Sequence, residues 1–200
     1  AHNFITKLPA EMGDLRLLKD LSIAGNQVRV PNQQVLDSGM DFVLEYLYSL
    51  AQSEERGELL LDGMSFADFP TEVIEIKNLV HLSVCSNQIR TIPESINKLI
   101  TLQRLFVSDN RIEYLPENLI NIEALVILEA DKNRLSGLPK RFGFLPDVEV
   151  LVLSRNNFSI VPLELGYLKK LRVLEMEGNQ LLYPFNVLFA RGFKHVFNFL

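Results

Sequence analysis

One cysteine, Cys85, occurs in the 200 residues, so no disulfide can form within the chain, and a reducing, cytoplasmic setting is expected. Histidine is also scarce, and three scattered imidazoles with one thiol provide no metal-ligand spacing. His81 and Cys85 are the nearest such pair, but four extended residues separate them by about 13 Å, too far for a base to activate a nucleophile. The reading is a surface histidine and a small turn residue. Neither GxGxxG nor GxxxxGK[ST] occurs, so no phosphate cradle is present. No catalytic residue, cofactor or metal is therefore expected.

Positive charge is also short. Lys and Arg total 20 against 25 Asp and Glu, the net charge is −5, and basic clusters stop at pairs such as Lys140–Arg141 and Lys169–Lys170. A nucleic-acid backbone would find no footprint here. Apolar runs are a few residues long, far from the roughly 20 that a membrane-spanning helix needs, so no membrane insertion is expected. No secretory signal is visible.

What the chain does have is a period. Asparagines fall at Asn87, Asn110, Asn133, Asn156 and Asn179, each 23 residues after the last. Leu82, Leu105, Leu128, Leu151 and Leu174 keep the same step, as do Pro93, Pro116, Pro139 and Pro162. The unit L-x-x-L-x-L-x-x-N-x-L-x-x-L-P is plain in "LQRLFVSDNRIEYLPENLINI", Leu102 to Ile122. Its "LxL" alternation is strand-like, with two leucines inward and the residue between them outward. The asparagine sits where the chain leaves the strand, and its amide can serve backbone groups that no strand pairing satisfies. Asn26 belongs to the same column, and the frame predicts that the chain begins inside a repeat of a longer protein.

This unit resembles the leucine-rich repeat, in seven or eight in-phase copies covering nearly the whole chain. The resemblance implies an α/β solenoid with a parallel β-sheet on the concave face, short helical or 3₁₀ turns on the convex face, and capping helices.

The rhythm breaks once. From Asn26 to the next equivalent position, Met64, there are 38 residues rather than 23, an insertion of fifteen. Within it, Phe42, Val43, Tyr46, Leu47 and Leu50 fall on one face of a helix. The segment 26–47 also matches 179–200 in step: Asn26 with Asn179, Pro31 with Pro184, Gly39 with Gly192, Val43 with Val196. Both read as caps that hide the core of a last coil. The expected organisation is residues 1–50 as the end of a first block with a capping helix at about 38–50, a polar connector at 51–58, and a second block at 59–200 closed by a cap at 179–200.

Pro31, Val35, Gly39, Val43, Leu44, Tyr46 and Leu47 resemble the repeat-ending segment of intracellular Ras-group leucine-rich-repeat proteins. That resemblance implies a scaffold or adaptor with a protein partner, a small GTPase or phosphatase subunit among the candidates. It equally fits the targeting region of a larger enzyme, such as a Roco-type GTPase/kinase or a ubiquitin ligase, or a component of a cytoskeletal or ciliary assembly.

The concave face is where such families mostly bind. One outward column reads Asp20, Glu58, His81, Arg104, Ile127, Val150 and Val173, the next Ser22, Leu60, Ser83, Phe106, Glu129, Val152 and Glu175. Phe106, Ile127, Val150, Val152 and Val173 form an apolar diagonal. Asp109, Glu129, Asp131, Glu175 and Glu177 surround it, with Arg104, Lys132, Arg155 and Arg172 interspersed. An apolar centre with a charged rim is the anatomy of an interaction site. The other reading is that β-branched residues merely suit strands.

Overall fold

The computed structural model describes residues 3–190. Its sheet has six three-residue strands: β1 (Glu58–Leu60), β2 (His81–Ser83), β3 (Arg104–Phe106), β4 (Ile127–Glu129), β5 (Val150–Val152) and β6 (Val173–Glu175). They pair in parallel and in chain order, and every partner lies 23 residues on, so that Leu82, Leu105 and Leu128 stand side by side. The sequence period is thus the strand register itself.

Prolines open the convex side. Pro93 and Pro116 cannot donate, but their carbonyls accept the N–H three residues on, from Ile96 at 3.0 Å and Leu119 at 3.1 Å. The 3₁₀ turns Glu94–Lys98 and Glu117–Asn121 follow, and Thr71–Glu75 and Leu163–Tyr167 repeat the arrangement after Pro70 and Pro162. Ile96, Leu119 and Leu165 face inward from these turns and meet the strand leucines, all of them fully buried. No coil could close that core alone, and each is covered by the next.

The asparagines stitch the coils together. Asn133 Oδ1 accepts the Ile112 N–H at 2.9 Å, while its Nδ2 donates to the carbonyls of Val107, Ala130 and Asp131 at 2.9, 3.3 and 3.2 Å. Ile112 and Val107 belong to the preceding coil. Asn87, Asn110 and Asn156 repeat the pattern, each 8% exposed or less. Asn179 and Asn26 hold the ends of the column with fewer covering neighbours, Asn26 taking the Ile5 N–H at 3.1 Å.

Met64 is explained by the same geometry. An asparagine there would reach back 21 residues to the N–H of Val43, which lies in a helix and already donates to the Gly39 carbonyl at 3.1 Å. With no open coil behind it, the position has nothing to stitch.

Immediately before each asparagine lies a residue in the left-handed region: Ser86, Asp109, Lys132 and Arg155, with φ between 51° and 56°. Gly25, Gly63 and Gly178 hold the same place at the ends of the blocks. A residue without Cβ adopts this φ at no steric cost, whereas the four interior coils hold non-glycine residues there against a small penalty.

Between the blocks, α1 (Gln33–Asp37) is capped by the Asn32 side chain, which accepts the Val35 N–H at 3.1 Å. The next helix, α2 (Met40–Arg56), runs further than the sequence suggested. The cap expected at about 38–50 continues through most of the polar connector expected at 51–58, because "AQSEER" keeps helical phase until Gly57 turns left-handed at φ 65°. Val43, Leu44, Tyr46 and Leu47 are buried on this helix. It packs against both β1 and the 3₁₀ turn Ala10–Asp14. Gly13 makes the second contact possible, since a Cβ there would lie 2.2 Å from the Tyr48 nitrogen.

The stretch around Asp20 and Ser22 forms no strand, so these two residues do not extend the concave columns; Lys7 and Val30 make only an isolated parallel bridge. At the far end, α3 (Phe185–Ala190) opens the expected second cap, and the rest of that segment, 191–200, lies outside the described residues. Among the described residues no helix is long and apolar enough to cross a membrane.

Candidate functional site

Each strand buries its central leucine, and β3 to β6 leave the residues on either side at least partly exposed, whereas Ser83 of β2, expected in the outward column, is buried. The register therefore sets two rows across the face. Arg104, Ile127, Val150 and Val173 form one, and Phe106, Glu129, Val152 and Glu175 the other. Ile127, Val150 and Val152 are half-buried, and Val173 at the edge is 40% exposed.

The apolar residues do not make the single diagonal that the sequence suggested. Ile127, Val150 and Val173 are a continuous row, but Glu129 stands between Phe106 and Val152 in the other. Phe106 turns instead toward β2, where its ring meets His81 edge-on with centroids 4.7 Å apart.

His81 is the residue that sequence reasoning undervalued. Its side chain is mostly covered, its Nδ1 lies 2.8 Å from the Glu58 carboxylate, and its Nε2 is buried with no hydrogen-bond partner among the described residues. With Nδ1 engaged by Glu58, Nε2 is the ring atom left for another polar group. Ser108 Oγ is a second buried, unpartnered polar atom, in the column on the other side of Phe106. The 23-residue spacing of Glu58 and His81 was visible; that Phe106 would roof the ring was not.

The rim is acidic. Glu129, Asp131, Glu175 and Glu177 make no ion pair among the described residues, and the pair of Arg172 with Glu149 at 3.6 Å lies off the two rows. Burial, and then the charges of Asp131 and Glu175, raise the Glu129 pKa above the ordinary glutamate value, with His81 opposing. Cys85 is likewise pushed up, first by burial, so its thiol is kept from the reactive thiolate form.

A folded-state pKa above the unfolded one means that Glu129 favours folding most when protonated, and that this contribution is lost as pH rises through the raised value. Glu129→Gln is therefore expected to raise the melting temperature slightly at pH 7 and to change it little at the acid end of the carboxylate range. Melting curves at the two pH values check this, and a variant less stable than the parent at pH 7 would contradict it.

The profile of a leucine-rich repeat region matches residues 62–183. No curated protein matches the chain. Among solved structures, a leucine-rich repeat protein of Leptospira interrogans shares 28% identity over 94% of this chain and 44% of its own, with a TM-score of 0.63. The BIR3–SERK2 complex of Arabidopsis thaliana contains a chain 26% identical over 60% of this one and 66% of its own, with a TM-score of 0.52. An internalin of Listeria monocytogenes, 20% identical over 90% of this chain and 46% of its own, shares the fold with a TM-score of 0.57. The chain thus spans less than half of the Leptospira protein's length.

Proposed function

The chain belongs to the leucine-rich repeat family, and from that premise we propose that it is a non-enzymatic scaffold that binds a protein partner on its concave sheet. The observation that carries this is the row Ile127, Val150 and Val173, half-exposed beside carboxylates without ion pairs and flanked by Phe106. An apolar centre whose rim can discriminate by charge suits a protein surface better than a small molecule. Repeats of this family are binding modules rather than catalytic ones, and one structural neighbour is itself a complex of two proteins.

The block organisation supports the reading. In it the stretch before β1 ends one array and the strands β1 to β6 belong to another, and α2 covers the edge of the sheet beside β1, so the second face is bounded. The Ras-group resemblance makes a small GTPase or a phosphatase subunit the first partners to test. The unpaired Cys85 supports a cytoplasmic setting.

Phe106→Ala combined with Ile127→Ala is expected to weaken the native partner by more than about 1 kcal/mol, roughly fivefold or more in affinity. Calorimetric titration beside a melting curve reads both. Full affinity retained in the folded double variant would remove the concave face from the interaction.

A further inference from the structure

A groove lies where the repeat is interrupted. Elsewhere the convex turns of successive coils pack side by side, but here α2 takes the place of a coil and the turn Ala10–Asp14 packs on that helix. The space left between this turn, the second half of α2 and the turn Thr71–Glu75 encloses about 480 Å³. That is within the range of about 300–1,000 Å³ occupied by ligand sites.

Its floor is apolar, made by Leu8, Leu47, Leu50 and Ile76. Its rim carries four carboxylates, Glu11, Glu54, Glu72 and Glu75, against one ammonium, Lys7. Two of the four are committed: Glu75 pairs with Lys98 at 2.9 Å, and Glu72 accepts the buried Tyr46 hydroxyl at 2.7 Å. Tyr46 thereby fixes the Glu72 wall. The carboxylates of Glu11 and Glu54 make no hydrogen bond or ion pair among the described residues. The opposite wall is equally fixed, because Gly13 sits against the backbone of α2 with no room even for a methyl group.

We propose that this groove binds a basic segment of a protein partner, an aliphatic side chain entering over Leu50 while a neighbouring lysine or arginine meets Glu11 and Glu54. Charge complementarity selects this occupant: an acidic segment would meet repulsion from every side except Lys7, and an uncharged one would leave the carboxylates unused. The groove lies on the convex side, away from the two concave rows, so it is a second surface and does not depend on the first.

The test titrates the isotope-labelled 200-residue chain with the peptide Leu-Lys-Leu-Arg-Leu and with Leu-Glu-Leu-Glu-Leu, reading amide chemical shifts. The basic peptide is expected to move the amides of Leu8, Ala10, Ala51 and Glu54. Glu11→Gln with Glu54→Gln, two side chains that hold nothing else in the fold, is expected to weaken it at least tenfold, whereas Phe106→Ala with Ile127→Ala leaves it unchanged. Absence of these shifts, an equal response to the acidic peptide, or full affinity in the Glu11/Glu54 variant would overturn the proposal. So would the same shifts produced by spermine at equal concentration, which would mark a bare polycation site, or by concentrating the free chain, which would seat a second copy in the groove.

Discussion

Asn133→Ala is expected to destabilise the protein by about 3 kcal/mol, one of the largest effects that a single polar side chain can have here. The substitution leaves the Ile112 N–H without a partner and takes one of two donors from each of the Val107, Ala130 and Asp131 carbonyls, in a site too buried to admit water freely. Asn110→Ala removes the same set of bonds one coil earlier and should cost a similar amount. Asn26→Ala, at a half-buried end of the column with one bond accepted and one donated, should cost only about 1 kcal/mol. Denaturation midpoints of the three variants check the order. Equal effects at Asn26 and Asn133 would show that the bonds to the preceding coil, rather than their burial, set the magnitude; no effect at Asn133 would refute the stitching.

Tyr46→Ala should be as damaging, about 3–5 kcal/mol, because it empties the joint between α2 and the first coil of the sheet. The side chain is fully buried, its ring meets Phe66 edge-on at 5.9 Å, and its hydroxyl donates to Glu72 at 2.7 Å. Burial, and then the Glu72 charge, hold its pKa far above that of a free phenol, so the hydroxyl remains a donor throughout the physiological range. Tyr46→Phe keeps the ring and should cost about 1 kcal/mol, the net worth of one hydrogen bond. Comparing the two by chemical denaturation separates packing from hydrogen bonding. Similar losses for both would mean that the hydroxyl, not the ring, holds the cap.

Much of this molecule was legible because a 23-residue step in sequence is a one-strand step in space. Both outward columns follow from that identity from β1 to β6, as does the asparagine column. The cap was legible in position because Val43, Tyr46 and Leu47 keep helical spacing. Its end was not: polar residues 51–56 carry no apolar periodicity, and only the left-handed turn at Gly57 stops the helix. The left-handed column before each asparagine was hidden for a related reason, since Ser86, Asp109, Lys132 and Arg155 share a backbone angle and no chemistry.

The concave site divides in the same way. The sequence placed Arg104, Phe106, Ile127, Glu129, Val150, Val152, Val173 and Glu175 on one face, because strand alternation depends on the backbone alone. Which of them lie next to each other within a row depends on the register, and where a long side chain turns depends on the space its neighbours leave. Phe106 thus covers His81 rather than joining Val152, and only tertiary packing could decide it. The sequence by itself determined the solenoid, its period, its stitching and the place where it breaks, since these rest on local periodicity. The tertiary structure alone decided what the break leaves behind: an acid-rimmed groove whose walls come from segments more than sixty residues apart, a distance in sequence over which no local pattern carries.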